Sequence, residues 1–207
     1  MKELFERARV VPVLIFDELE YAVPAAGALI EGGLPVLEVT LRTDAAWAAL
    51  EAIVARHPDA TVGVGTVLEP EQMVRAKTAG ARFAVSPGFD PSLAESAQAE
   101  GLFYLPGVAT ASEVMAARRA GFRFLKFFPA EAAGGRAMLQ SFASPFRDIT
   151  FCPTGGVGPE NFADYLALPN VACVGGSWVA TAQDMEKADW EGIAGKATEA
   201  ADAFLMR

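Results

Sequence analysis

The residues that most invite a chemical reading lie in one short run, Phe124-Leu125-Lys126-Phe127-Phe128-Pro129. A single lysine stands there in an otherwise apolar stretch. Side chains of an extended chain alternate faces, so Phe124, Lys126 and Phe128 share one. A lysine in that setting either reaches past its neighbours to water or acts as a nucleophile toward a carbonyl. The second use needs the free amine, about one molecule in 2,500 for an ordinary lysine at pH 7. Burial and a nearby guanidinium both disfavour the ammonium form.

A second run, Val36-Leu37-Glu38-Val39-Thr40-Leu41-Arg42, supplies partners. Leu37, Val39 and Leu41 fall on one face and Glu38, Thr40 and Arg42 on the other. A carboxylate and a guanidinium on an inner face are costly unless they are paired or functional. They fit a structural ion pair. They fit as well a general base, Glu38, beside a cation, Arg42, that grips a carboxylate in two-point fashion. With Lys126 in the same cavity, the set suits imine chemistry.

Two glycine turns come late in the chain, Thr154-Gly155-Gly156-Val157-Gly158-Pro159-Glu160-Asn161 and Gly175-Gly176-Ser177-Trp178. Glycine lets backbone N–H groups close on an anion, and a helix start adds to the attraction. Ser177 brings a hydroxyl. Each turn taken alone reads equally as a tight connection. Gly65-Thr66, Ser86-Pro87-Gly88 and Pro106-Gly107-Val108 read first as turns, with Thr66 the best donor to a carboxylate.

The elements that must hold these residues alternate between β-branched runs and Ala-rich helical stretches. Strands are expected at Val10–Phe16, Val36–Leu41, Thr61–Val67, Phe83–Ser86, Leu102–Pro106, Phe124–Phe128, Ile149–Pro153 and Val171–Val174. Helices such as Ala45–Arg56 and Ser112–Ala120 lie between them, several closing on glycine at Gly32-Gly33, Gly80, Gly101 and Gly121. A short helix over Lys2–Ala8 leads in. The expectation is an α/β fold, a closed (β/α)8 TIM barrel formed as one domain over residues 1–207. An open doubly wound sheet is built from the same alternation and is the competing architecture. In a barrel, Lys126 would lie toward the C-terminal end of its strand, where active sites of that fold are built.

Composition narrows the function. Hydrophobic residues make up 52 % of the 207, which fits a sheet buried on both faces. No apolar run approaches the roughly 20 residues of a membrane span, and the first residues carry charges rather than the apolar core of a signal peptide. Two cysteines, Cys152 and Cys173, do not make a disulfide framework, so a cytoplasmic setting is expected. The formal net charge of −9 argues against a nucleic-acid partner. Zinc aldolases and metal-dependent epimerases draw on imidazole clusters. The one histidine, His57, cannot supply such a cluster, and in Arg56-His57-Pro58-Asp59 it reads as a solvated turn residue.

Six segments carry a family resemblance. They are Leu37-Glu38-Val39-Thr40-Leu41-Arg42-Thr43, Gly65-Thr66-Val67-Leu68, Ser86-Pro87-Gly88, Leu125-Lys126-Phe127-Phe128-Pro129-Ala130-Glu131, Cys152-Pro153-Thr154-Gly155-Gly156 and Gly175-Gly176-Ser177-Trp178. In order and spacing the chain resembles the 2-keto-3-deoxy-6-phosphogluconate (KDPG) and 4-hydroxy-2-oxoglutarate (KHG) aldolases. The resemblance implies a homotrimeric barrel of the Entner–Doudoroff pathway that releases pyruvate from a phosphorylated 2-keto acid, with no metal or organic cofactor. It implies Lys126 as the Schiff-base lysine and Glu38 as the general acid and base. Arg42 and Thr66 would bind the pyruvate carboxylate, and Gly155, Gly156, Gly176 and Ser177 the phosphate. Thr154, Phe128 and Pro87 would line the pocket around the hydroxyl-bearing carbons. The aldolase for the galactonate epimer resembles this chain less, since it tends to lack the Thr-Leu-Arg-Thr ending and the threonine before Gly-Gly. A metal-free isomerase, or a binding protein for a phosphorylated ligand, would use the glycine turns but not a lysine beside a carboxylate.

Overall fold

The computed structural model describes residues 2–202. The strands among them are β1 (Val10–Leu14), β2 (Val36–Thr40), β3 (Thr61–Gly65), β4 (Phe83–Val85), β5 (Phe103–Leu105), β6 (Gly107–Val108), β7 (Phe124–Phe127), β8 (Thr150–Pro153) and β9 (Val174–Gly176). The helices are α1 (Lys2–Ala8), α2 (Ala22–Glu31), α3 (Ala46–Arg56), α4 (Pro70–Thr78), α5 (Pro91–Ala99), α6 (Ala111–Arg119), α7 (Gly135–Ala143), α8 (Phe162–Leu166), α9 (Ala182–Glu186) and α10 (Trp190–Asp202).

Local chemistry sets many of these boundaries. Thr110 and Glu113 form a reciprocal capping box at the start of α6, and Thr181 and Asp184 do the same for α9. Proline opens α4 and α5, where its missing N–H costs nothing. Gly80, Gly101 and Gly121 follow their helices with positive φ, as their sequence positions suggested.

The pairing of the strands corrects the expected closed (β/α)8 barrel. The strands lie in two parallel sheets: a six-stranded half-barrel in the order β5-β4-β3-β2-β1-β9, and a three-stranded sheet in the order β6-β7-β8. The structure is open. Pro106 is the physical reason on one side. The chain bonds to β4 through Leu105, whose carbonyl accepts from Ser86 N (3.4 Å). One residue later it has changed neighbour, and the Pro106 carbonyl accepts from Lys126 N (2.9 Å). Proline has no N–H to carry a ladder through, so the expected strand Leu102–Pro106 stops at Leu105 as β5, and Gly107–Val108, read as a turn, forms the separate β6. On the other side, β8 reaches the β9 segment only through single bridges, Phe151 to Val171 and Thr154 to Gly175. The last strand is also shifted: Val171–Val174 was expected, and Gly175 and Gly176 lie within β9 rather than after it.

Alternation along the strands sorts the core into two layers. Leu37, Val39, Leu125, Phe127 and Phe151 face the helices. Val11, Val36, Phe83, Leu105, Phe124, Cys152 and Cys173 pack inside, together with Phe5 from α1. The Phe5 ring meets Phe83 edge-on at 4.9 Å and Phe124 at 5.6 Å. Thus α1 covers the N-terminal ends of the strands and leaves their C-terminal ends to carry a site. Burial of a side chain of this size stabilises by about 1.5–3 kcal/mol. Among the described residues no helix is long and apolar enough to cross a membrane. His57 differs from its expectation: it follows α3, lies beside Gly27 of α2, and its Nε2 is buried without a hydrogen-bond partner.

Candidate active site

β2 and β7 contribute the central pair. Glu38 and Lys126 are each only 3 % exposed. Lys126 Nζ donates to Glu38 Oε1 at 3.3 Å. Lys126 Nζ also lies 5.1 Å from the centroid of the Phe128 ring, and Cys152 of β8 is its register partner. A buried ion pair keeps both charges only with close geometry, and here the amine and the carboxylate are each other's partner.

The neighbouring strand makes room for this pair. A Cβ at Gly65, on β3, would fall 2.0 Å from Glu38 Oε1 and 2.7 Å from its Cδ. Any side chain there would displace the carboxylate. Sequence reasoning read Gly65 as a turn and missed this role. The signal available was a glycine ending the strand that follows Glu38, which has no meaning until the two strands are known to be neighbours.

Arg42 departs from its expected place. β2 ends at Thr40, so Arg42 lies in the following turn and is exposed rather than inward-facing. Its Nε donates to Thr66 Oγ1 at 3.0 Å. Thr66 holds φ at +59°, a conformation costly for a β-branched residue. Such strain of about 1–3 kcal/mol persists only where surroundings impose it and gathers at functional sites. The charged group in direct contact with Lys126 Nζ is Glu38.

A third group lies at the ends of β8 and β9. Thr154 is 6 % exposed and pairs with Gly175, where a Cβ would fall 2.4 Å from Thr154 Oγ1. Gly155 and Gly156 take φ of +95° and +76°, and a Cβ at Gly155 would sit 3.3 Å from the Phe128 ring. That contact joins the turn to the aromatic wall beside Lys126. The Trp178 ring covers Gly176, and Ser177 is exposed. Pro87 is half-buried at the end of β4, its carbonyl against Gly107, where a Cβ would fall 2.2 Å from Pro87 O. Beside it the Ser86 and Tyr104 hydroxyls are 2.6 Å apart. Burial, opposed by that bond, pushes the Tyr104 phenol up to about 12.

Apart from Glu38, which is midway along β2, the expected site residues lie near or just beyond the C-terminal end of a parallel strand, the end at which α/β proteins bind ligands. Fold and site define a class: parallel α/β proteins with a buried amine–carboxylate pair among glycine-rich strand ends. Comparison with known proteins narrows it. The profile of the KDPG and KHG aldolases matches residues 1–195. The chain is 48 % identical over 197 residues to the KHG/KDPG aldolase of Escherichia coli strain K12, covering 95 % of this chain and 92 % of that one. The KDPG aldolase of Legionella pneumophila was solved with pyruvate captured at low pH as a covalent carbinolamine intermediate. It superposes with a TM-score of 0.94 at 44 % identity, covering 96 % of this chain and 97 % of that one. The aldolase of Zymomonas mobilis ZM4, solved with 3-phosphoglycerate, gives a TM-score of 0.91 at 45 % identity, covering 97 % and 94 %. This chain belongs to the KDPG and KHG aldolase family.

Proposed function

We propose that this chain is a class I, Schiff-base aldolase that cleaves 2-dehydro-3-deoxy-6-phosphogluconate to pyruvate and D-glyceraldehyde 3-phosphate. The reaction is the aldolase step of the Entner–Doudoroff pathway, and 4-hydroxy-2-oxoglutarate is a second substrate. The observation that carries the reading is the buried contact of Lys126 on β7 with Glu38 on β2, in a chain of this family.

The amine of Lys126 adds to the C2 ketone, and Glu38 moves the protons that let the carbinolamine lose water. The iminium formed is the electron sink, so a base is the main further requirement. Glu38 takes the proton of the C4 hydroxyl, the C3–C4 bond breaks, and glyceraldehyde 3-phosphate departs. The remaining enamine is protonated at C3 by Glu38. Water then hydrolyses the iminium, freeing pyruvate and Lys126. Arg42, held by Thr66, binds the carboxylate of the pyruvate half. Gly155, Gly156, Gly176 and Ser177 receive the phosphate, with Thr154, Phe128 and Pro87 around the carbons between. The family likeness supports assembly as a homotrimer, and the charge and cysteine content support a cytoplasmic setting. One domain spans residues 1–207.

The test is to incubate the protein with pyruvate, add borohydride, digest, and locate the adduct by mass spectrometry. A reduced pyruvyl group on Lys126 is expected. Folded protein that gives no adduct would end the Schiff-base reading. Assay with the gluconate and galactonate epimers, coupling pyruvate release to lactate dehydrogenase, then fixes the substrate; the gluconate form is expected to be preferred.

A further inference from the structure

The Gly155-Gly156 turn is held by residues that have no part in the reaction just described. Glu131 follows β7 by four residues, and its backbone N donates to Gly155 O at 3.1 Å. Its side chain crosses Gly156: a Cβ on that glycine would fall 2.6 Å from Glu131 Cγ and 2.8 Å from Glu131 Cβ. The carboxylate then accepts a short hydrogen bond from the hydroxyl of Tyr165. Tyr165 is wholly buried on α8, the helix that the turn leads into. Burial, and after it the Glu131 bond, pushes the phenol up, so it stays a donor. Both partners border Gly135 at the start of α7, where a Cβ would sit 3.3 Å from the Tyr165 hydroxyl and 3.4 Å from Glu131 Oε1. From the far side, Asn161 donates through Nδ2 to Gly156 O (3.0 Å) and accepts from Gly158 N (2.9 Å).

We infer that Glu131 and Tyr165 are positioning residues that fix the Gly155-Gly156 turn and so set affinity for the phosphate end of the substrate. Two facts separate this from general packing. Glu131 is itself exposed, so its side chain does not fill the core. Its contacts lie on the Gly155-Gly156 turn and on the α7 and α8 residues that border it, and the N–H groups of that turn face an anion only in a particular conformation. Glu131 has no contact with Lys126 or Glu38 in the structure, so the lever acts on the phosphate and not on the amine. The inference rests on the proposed aldolase function, with the turn as the phosphate cradle.

The test compares Glu131→Ala, Glu131→Gln and Tyr165→Phe with the parent protein. Two constants are measured for each: KM for the phosphorylated keto acid, and the pyruvate concentration giving half-maximal inactivation by borohydride. Loss of one hydrogen bond to a charged group is worth roughly tenfold or more. Glu131→Ala and Tyr165→Phe are therefore expected to raise KM about tenfold relative to the pyruvate constant. The double variant should do little more than either single one, since both break the same bond. Glu131→Gln keeps an acceptor for the phenol and should recover most of the loss. An unchanged KM overturns the inference, and so does an equal rise in both constants, which would mark a merely structural role. If Tyr165→Phe does not fold, the exposed Glu131 variants decide the matter alone. Failure of the parent protein to trap pyruvate would instead strike the aldolase reading, so the two failures are distinguishable.

Discussion

Lys126 Nζ lies 3.3 Å from Glu38 Oε1, a contact that spans 88 residues of chain and sits with both side chains almost wholly out of water. Removing one member of such a pair leaves the other buried and unpaired, at about 3–5 kcal/mol. Lys126→Arg keeps a cation beside Glu38 but cannot form an imine. It is expected to hold the fold, by circular dichroism, and to lose both the pyruvate adduct and turnover. Turnover near the parent level would mean the nucleophile lies elsewhere.

Glu38→Gln removes the base and keeps the shape. Proton transfer by a positioned side chain contributes about 10²–10⁴-fold. A fall of kcat in that range is expected in the coupled pyruvate assay, while borohydride still traps some adduct on Lys126. A variant that cleaves substrate at the parent rate would assign the proton transfers to another group.

Gly65→Ala places a methyl group where the Glu38 carboxylate now lies, 2.0 Å from Oε1. The carboxylate must move by about an ångström, and displacements of that size cost about 10²-fold in rate. Overpacking adds about 1–3 kcal/mol of destabilisation. A lowered melting temperature together with a lowered kcat is the expected pattern. A lowered melting temperature with full kcat would show that Glu38 does not need its present position.

Thr66→Gly removes the hydroxyl that accepts from Arg42 Nε and relieves the left-handed strain at φ +59°. Relief of about 1 kcal/mol or more opposes the entropic cost of glycine, about 0.5–1 kcal/mol. The melting temperature is therefore expected to hold, while the pyruvate concentration for half-maximal trapping rises about tenfold. A clear loss of stability without a change in pyruvate affinity would make Thr66 a purely structural residue.

Asp184 carries a pH prediction. Burial pushes its carboxyl up, but hydrogen bonds from Lys196 Nζ (2.7 Å) and from Thr181 outweigh that and leave it lowered. A carboxylate lowered on folding contributes stability that is complete above its unfolded value of about 3.9 and is lost as pH falls through the folded value. Asp184→Asn should lower the melting temperature at pH 7, modestly, because the Lys196 side chain is 38 % exposed and screened by solvent. The gap between variant and parent should narrow as pH falls below about 4. A gap that is constant down to pH 2 would rule out the charge as its source.

Much of the molecule could be read from its residues because the signals are local. Alternation along 36–42 and 124–128 sorted Leu37, Val39, Leu125 and Phe127 toward the helices and Glu38 and Lys126 inward, and the structure keeps that sorting. The Ala-rich helical stretches placed α3 and α6 to within a residue at each end, and Gly121 marked the close of α6. Motif order was enough to indicate the family. Strand partnership was not legible, because a backbone N–H bonds to whatever carbonyl the folded path brings near. The partner change at Pro106 opened the expected barrel into two sheets. The end of β2 at Thr40 moved Arg42 out to solvent. The same holds for Gly65 beneath Glu38 and for Tyr165 against Glu131, residues 34 apart in the chain. Glu131 was visible in its motif without a role, and Tyr165 carried no signal at all. The sequence by itself determined which residue types reach the strand ends and on which face; only the tertiary structure decided which of them touch, since contact distance depends on the packing of elements far apart in the chain.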